Sequence, residues 1–524
     1  MYNILAVDGI AAEGIEILKK NFNVEVHDKI SAAELLEIIP KFDALIVRSA
    51  SKVTAEVIAR AENLKIIGRA GVGVDNIDVK AATERGIIVI NSPDGNTIAA
   101  TEHTFAMMAA LSRNIPQANK TMHAGGWDRK KFVGVELRNK TLAVIGLGRI
   151  GAGVAKRAQA FLMNVIAYDP FVSAERAESL GVKIVELDEL FKTADFITVH
   201  MPLNKNTENM ITLDKIKMMK PTTRLINCAR GGIINENDLA FALKEKLIAG
   251  AAVDVFTTEP LAENSPFREL DNIILTPHLG ASTIEAQIGV SLDVANGIVD
   301  ALNNRPVSTA VNMPHIPAHI LKKLAPYITL AERLGRTITA LSKNPISNIE
   351  VKINGKITDD NTSIISTAVL QGVLSTAIEH VNLVNANLLA QDRGIKLSEV
   401  TSNVEGDFSN TVTVSANGNS VTGTLFGNEG RLVLINNFRV DVDPHSRILI
   451  CPHINRPGVI GEVGTILADY NINISSMQVG KTDIGGTNLM VLTVDNPISK
   501  AVIDKVKSSA AIFDVTLVAF EDAE

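Results

Sequence analysis

Three residues of complementary chemistry follow short apolar runs in the middle of the chain. Arg230 comes after Leu225-Ile226-Asn227, Glu259 after Ala251-Ala252-Val253-Asp254, and His278 after Ile273-Ile274-Leu275. Runs of this length and content read as buried strands, and an open parallel sheet gathers ligands at the carboxyl ends of its strands. Delivered there together, the three form an acid–base set. A histidine, with an unperturbed pKa of about 6.5, takes a hydroxyl proton and returns it. A neighbouring carboxylate orients the imidazole and favours its protonated form, and a guanidinium binds a carboxylate and polarises a carbonyl oxygen. This division of labour suits the oxidation of a small 2-hydroxy acid, in which a proton leaves oxygen as a hydride leaves carbon.

The hydride needs an acceptor. Thr141-Leu142-Ala143-Val144-Ile145 leads into Gly146-Leu147-Gly148-Arg149-Ile150-Gly151 and then an alanine-rich stretch, and Asp169 closes the next apolar run. Glycines between a strand and a helix, with a carboxylate about 20 residues on, are the context of a dinucleotide fingerprint. Gly146 makes the tight turn, Gly148 lets backbone approach the pyrophosphate, and Gly151 allows close helix–strand packing. The helix N-terminus then offers N–H groups to the phosphates. Asp169 would accept from the ribose hydroxyls and repel a 2′-phosphate, which favours NAD over NADP.

The elements that carry these groups read as an α/β fold. Ile4–Val7, Ala44–Val47, Lys65–Ile67 and Ile87–Ile90 are predicted strands separated by helical patterns. A helix from about 97, capped by Asn96 or Thr97, has Ile98, Phe105, Met108 and Leu111 among its apolar positions. A second strand–helix series runs from Thr141 to about Pro277, and a further helix covers 283–302. Two similarly wound, Rossmann-like parallel-sheet lobes with a cleft between them follow. Beyond a linker at 303–317, with Pro306, Pro314 and Pro317, the texture changes. Helical stretches at 318–342 and 362–391 precede an α+β unit with hairpin signals at Asn354-Gly355 and Asn417-Gly418 and a strand pair over 431–442. A last unit reads βαββαβ, ferredoxin-like: Arg447–Cys451, helix 457–470, a hairpin of Met477–Lys481 and Asn488–Val494 around Gly485-Gly486, helix 498–508 and strand 513–519.

With 524 residues, 46% apolar and 21% charged, the chain is that of a soluble protein with three or four domains. One Trp, four Tyr and a net charge of −7 argue against nucleic acid or an anionic membrane as partners. Cys228 and Cys451 form neither a disulfide framework nor a metal-ligand spacing, so no metal is expected. Met1 to Asp8 runs straight into a strand pattern, and no apolar run approaches the length of a membrane helix, so the expected compartment is the cytoplasm.

The motifs Gly-Leu-Gly-Arg-Ile-Gly, Asn-Cys-Ala-Arg-Gly-Gly, Asp-Val-Phe-Thr-Thr-Glu-Pro and Pro-His-Leu-Gly-Ala-Ser-Thr resemble those of the D-isomer-specific 2-hydroxyacid dehydrogenases. The resemblance implies that Arg230, Glu259 and His278 are catalytic. It also implies that Arg149, Ile150, Asp169, Met201, Cys228, Ala229, Asp254 and Gly280 line the NAD pocket beside Gly146, Gly148 and Gly151. It implies a split substrate-binding domain, 1–96 with 284–310, around an NAD-binding domain, 97–283. Leu45 to Ala50 and Gly68 to Asp78 are similar to the substrate loops of the branch that oxidises 3-phospho-D-glycerate. There the backbone of Gly71, Val72 and Gly73 would bind the carboxylate, and Arg48 and Arg69 the phosphate. Trp127 resembles an anchor for a second subunit, so a homodimer or homotetramer is expected.

The last unit, 445–524, resembles an ACT domain, a small-molecule sensor. His453, Asn455 and Asn473 match positions that bind L-serine across a dimer interface in serine-regulated relatives. The region 311–444 resembles the intervening domain of the family's long forms, and its residues carry no chemistry of their own. Three rival readings stand beside this one, of which a purely amino-acid-binding regulatory protein would not need the Arg230, Glu259 and His278 set. A reductase of glyoxylate, hydroxypyruvate or another D-2-hydroxy acid would need neither the phosphate-binding arginines nor the sensor. A non-enzymatic NAD-sensing corepressor would need a basic surface, which the sequence lacks.

Overall fold

Runs of β-branched and small apolar residues that bury on both faces become the strands of two parallel sheets. The computed structural model describes residues 1–520 except 304, 306, 315, 405 and 482–485, so Pro306 of the linker and Gly485 of the expected hairpin turn lie outside the described residues. The first sheet has the order Asn23–His27, Asn3–Val7, Ala44–Val47, Ile66–Arg69, Ile88–Ile90, all parallel. Four of these are the expected strands. Asn23–His27 is additional, and its largely exposed edge position explains why it has no buried run to betray it. The helix Ile284–Leu302 returns to this lobe, placing Val290, Val294 and Ile298 in one core with Ile4, Ala6 and Ile66. Gly68 makes that return close, since a Cβ there would lie 2.4 Å from Val294.

The second sheet runs Ile273–Leu275, Gly250–Val253, Arg224–Asn227, Phe196–Val199, Thr141–Ile145, Asn164–Tyr168, Lys183–Ile184, again all parallel. Chain order reverses at Thr141–Ile145, so the glycine-rich turn sits at the topological switch point, where such sheets bind ligands. The long helix Thr97–Ser112 covers this sheet through Ala100, Thr104, Met107, Met108 and Leu111. Ile98 departs from expectation: it belongs to the first turn, off the buried stripe, and is 61% exposed. Asn96 stands at the N-cap position, but its side chain makes no capping bond.

The third sheet is mixed, in the order Lys396–Ser402, Asn348–Gly355, Asn410–Ala416, Asn419–Phe426, Glu429–Ile435, Phe438–Val442. Asn417-Gly418 makes the expected hairpin, with φ of 50° and 78° and Ala416 opposite Asn419. Asn354-Gly355 does not. Gly355, at φ 104°, turns the strand into a short 3-10 helix, Lys356–Asp359, and the strand's neighbours come from far along the chain. The stretch 362–391 is two helices, Ser363–Leu374 and Ala386–Asp392. Between them Asn382 accepts from the N–H groups of Val384 and Asn385, an Asx turn that leads into the second helix.

The terminal unit has the expected βαββαβ order, with sheet order Ile474–Lys481, Thr487–Val494, Arg447–Ile454, Thr516–Ala519, all antiparallel. Alternation splits its apolar residues. Leu449, Cys451, Met490 and Leu492 pack with Val463 and Leu467 of the helix Val459–Asp469. Ile448, Ile450, Leu489, Val491 and Val518 point the other way, into one core with Leu330, Leu334 and Ile338 of the helix Ala318–Leu341. Among the described residues no helix is long and apolar enough to cross a membrane.

Candidate active site

The three fingerprint glycines are required for different reasons. At Gly146, φ is 94° and a Cβ would lie 2.7 Å from the His200 carbonyl oxygen; at Gly151 it would lie 2.0 Å from the Gly146 oxygen. The protein itself demands those two. A Cβ on Gly148 would meet nothing within 4 Å, so that glycine keeps free the space a pyrophosphate would fill. No side chain caps the helix Arg149–Ala160, which leaves the first-turn N–H groups of Arg149 and Ile150 open to an anion. Asp169 accepts from the N–H groups of Leu147 (2.8 Å) and Phe171 (2.9 Å), which fixes its carboxylate at the end of the neighbouring strand. Met201 lines the turn beside Gly146. The Arg149 guanidinium instead reaches across to Asp94, at 2.6 Å, tying the two lobes.

Asp254, Cys228 and Gly280 meet beneath this edge. Asp254 is fully buried, and its carboxylate accepts from Thr276 Oγ1 (2.6 Å), Leu279 N (2.8 Å), Gly280 N (2.9 Å) and His103 Nε2 (3.1 Å). Burial alone would raise its pKa, but the hydrogen bonds from His103, Thr276 and Leu279 outweigh that and lower it. Beside it, burial and the Asp254 charge push the Cys228 thiol up to about 12, so it is a protonated wall of the pocket. His103, Cys228 and Asp254 bring their ligand atoms within 4.8 Å of one another, a mixed set of the kind that holds a metal, although no spacing in the sequence announced it. Here the Asp254 oxygens are taken up by protein donors. Ala229, from the same loop as Cys228, donates to Asn227 Oδ1 and accepts from Arg230 Nη1.

His278 stands in the left-handed region, at φ 55°, with its N–H on the Asp254 carbonyl oxygen at 2.9 Å. Its Nδ1 lies 2.8 Å from Glu259 Oε2, and Glu259 Oε1 accepts from the N–H of Phe256. A carboxylate can only accept, so Nδ1 carries the proton and Nε2 is left as the basic nitrogen. Arg230 crosses to the first lobe: its Nε donates to Asp75 Oδ2 at 2.9 Å, and a Cβ on Gly73 would lie 1.9 Å from its Nη2.

On the first lobe, Asp8 accepts from the N–H of Arg48 and from Ser51, and Asn76 donates to the carbonyls of Arg48 and Ser51, so the two substrate loops are latched together. Asn91 and Ser92 hold the carbonyls of Val72 and Gly71, while the N–H groups of Val72 and Gly73 have no partner among the described residues. Arg69 leans over this loop, its Nη1 1.4 Å from where a Gly71 Cβ would sit, and its buried Nε has no partner. Burial, then the charges of Arg230 and Arg48, lower its pKa to about 10. Arg69 and Arg230 thus flank open backbone donors, with the Arg48 charge acting on Arg69, an arrangement complementary to an anion. Sequence reading missed Asp8, Asp75, Asn76 and His103. Asp8 at a strand's carboxyl end was the one with a signal to find.

The effector candidates are not brought together within the chain. His453 is buried with Nε2 unpartnered, and Asn455 is exposed just after it. Asn473, exposed at the start of another strand, donates to Asp495. His453 pairs with Asn488 at one end of Thr487–Val494, whereas Ile474 pairs with Val494 at the other. At about 3.4 Å per residue that separation is roughly 20 Å. Trp127 is 75% exposed, and Val133 nearby is 78% exposed.

Comparison with known proteins matches three segments of the chain to families. Residues 105–280 match the D-isomer specific 2-hydroxyacid dehydrogenase NAD binding domain, 323–436 the D-3-phosphoglycerate dehydrogenase intervening domain, and 448–511 the ACT domain. A D-3-phosphoglycerate dehydrogenase of Synechocystis is 46% identical over 521 residues, 98% of this chain and 94% of the relative. One from Methanocaldococcus jannaschii is 45% identical over 524 residues, 99% and 100% of the two chains. The crystal structure of the TT0316 protein from Thermus thermophilus superimposes with a TM-score of 0.56 at 31% identity, covering 59% of this chain and 99% of that one.

Proposed function

The chain belongs to the D-3-phosphoglycerate dehydrogenase family and is an NAD-dependent oxidoreductase, and from that premise we propose how it oxidises 3-phospho-D-glycerate to 3-phosphohydroxypyruvate, the reaction that begins L-serine synthesis. The observation that carries the substrate choice is the clustering of Arg48 and Arg230 charge on Arg69, beside the unpartnered N–H groups of Val72 and Gly73. Arg48 and Arg69 bind the phosphate dianion. The Gly71–Gly73 backbone holds the carboxylate, and Arg230 exchanges Asp75 for the substrate, contacting its carboxylate and the C2 oxygen.

His278 Nε2 removes the 2-hydroxyl proton, and Glu259 on Nδ1 fixes the tautomer and stabilises the imidazolium that forms. Bound NAD would supply the acceptor for the hydride that leaves C2. Gly146, Gly148, Gly151 and the open N–H groups of Arg149 and Ile150 would receive its pyrophosphate, Asp169 its adenosine ribose, and Met201, Cys228, Ala229, Asp254 and Gly280 would wall the pocket.

The ACT domain binds a small-molecule effector, which we take to be L-serine, held by His453 and Asn455 of one copy and Asn473 of another. Trp127 then anchors the partner in a homodimer or larger assembly. The deciding assay is NADH formation with 3-phospho-D-glycerate, D-glycerate and D-lactate side by side. A strong preference for the phosphorylated acid is expected, and equal or better turnover of D-lactate would overturn the substrate assignment in favour of a general D-2-hydroxyacid reductase.

A further inference from the structure

His103 has no place in the reaction as described, yet it contributes to a junction on which the reaction depends. It lies on the helix Thr97–Ser112, which begins where the chain leaves the first lobe. One face of this helix meets the ends of three catalytic strands. Thr104 hydrogen-bonds the Cys228 thiol after the first, His103 Nε2 lies 3.1 Å from Asp254 after the second, and Met107 Sδ lies 3.9 Å from Thr276 Oγ1 after the third. Asp254 then holds the loop that carries the acid–base histidine, through Thr276 Oγ1 on one side and the N–H groups of Leu279 and Gly280 on the other.

We propose that His103 is a positioning residue for the oxidation: its Nε2–H bond to Asp254 keeps that carboxylate aimed at the 276–280 loop and so holds His278 in place. The proposal rests on the reading of His278 as the acid–base group. The carboxylate is wholly buried and accepts only, so the facing Nε2 must carry the proton. Of its four donors, His103 alone comes from outside the strand-end loops. Without it, a buried carboxylate lacks one of its compensating donors and is driven to shift or take up a proton. Either change loosens two main-chain bonds next to His278, which already occupies a left-handed conformation. A displacement of about 1 Å at a reacting group costs about 100-fold in rate.

Two variants and two readouts test this on the full-length enzyme. His103→Leu keeps the bulk and removes the donor, and His103→Gln restores a donor near the position of Nε2. His103→Leu is expected to lower kcat roughly 10- to 100-fold with KM for the hydroxy acid within about twofold, and His103→Gln to recover most of the loss. Hydrogen exchange at the Leu279 and Gly280 amides in the unliganded enzyme should quicken in the Leu variant and return in the Gln variant. A Leu variant with wild-type kcat, a Gln variant as slow as Leu, or unchanged exchange at both amides would overturn the proposal. The exchange measurement needs no substrate, so a wrong substrate assignment, seen as a wild type inactive on 3-phospho-D-glycerate, is told apart from a wrong role for His103.

Discussion

His278, Glu259 and Arg230 follow three adjacent strands of one sheet, and main-chain bonds within a single chain hold each of them. His453 and Asn473 lie at opposite ends of a different sheet in that chain. The difference follows from what each site must do. Proton and hydride transfer tolerate little misplacement, and strand ends tied by a buried carboxylate supply that rigidity. An effector acts only by binding two states unequally, and a site divided between copies changes with their relative position. On the proposed reading, a single chain therefore brings together the three acid–base candidates and leaves the effector candidates apart.

The strongest way to break this comparison is at the catalytic end. His278→Ala is expected to lose about 10²–10⁴ in kcat, with NADH binding by fluorescence unchanged; a loss of tenfold or less would remove His278 from the proton transfer. Next comes Arg48→Ala, which should cut kcat/KM for 3-phospho-D-glycerate by about 2 kcal/mol, roughly 30-fold, the worth of a charge-assisted hydrogen bond. D-glycerate should be spared, and equal losses on the two acids would make Arg48 structural.

Hybrid oligomers sharpen the contrast directly. Mixing Asn455→Ala chains with Asn473→Ala chains should restore serine inhibition at one of the two divided sites in each hybrid pair. Mixing Arg230→Ala chains with His278→Ala chains should restore no turnover. Recovery of turnover, or none of inhibition, would dissolve the distinction.

The smallest effect expected is at Asp514, which Lys343 and Lys507 grip at 2.9 Å each. Partial burial raises its pKa, but those two hydrogen bonds prevail and bring it to about 2. Its folded value is below the unfolded one of about 3.9, so its contribution is complete above about pH 4 and disappears as pH falls through about 2. Lys343→Ala should therefore be slightly less stable than wild type at pH 6, with the difference shrinking as pH falls through about 2 and gone near pH 1 in urea unfolding. A difference that persisted at pH 1 would point to packing instead.

What the sequence revealed tracks how local each constraint is. The turn from Gly146 to Gly151 was legible because a tight turn, an open approach and a close helix crossing need glycine at fixed spacing. Asn417-Gly418 was legible because both its flanks pair with each other, whereas Asn354-Gly355 misled because the strand before it pairs with segments some 50 residues away. Ile98 misled because periodicity identifies a stripe and not which turn of it leaves the sheet. His103 was illegible since its partner lies more than 150 residues away, and a histidine inside an apolar helix gives no sign of facing a buried carboxylate.

The helix Ala318–Leu341 has a consequence for how the molecule comes apart. It lies between two sheets and packs with the inner face of the terminal one, where Ile448, Ile450, Leu489, Val491 and Val518 are each under 5% exposed. Each such side chain is worth about 1.5–3 kcal/mol when buried, so cutting the chain near 445 would uncover roughly 10 kcal/mol of apolar surface on the smaller piece. The ACT domain is therefore a ferredoxin-like unit in topology but half of one cooperative folding unit in energy. Calorimetry of residues 318–524 should give a single endotherm, and a fragment starting at 445 should self-associate through the uncovered face.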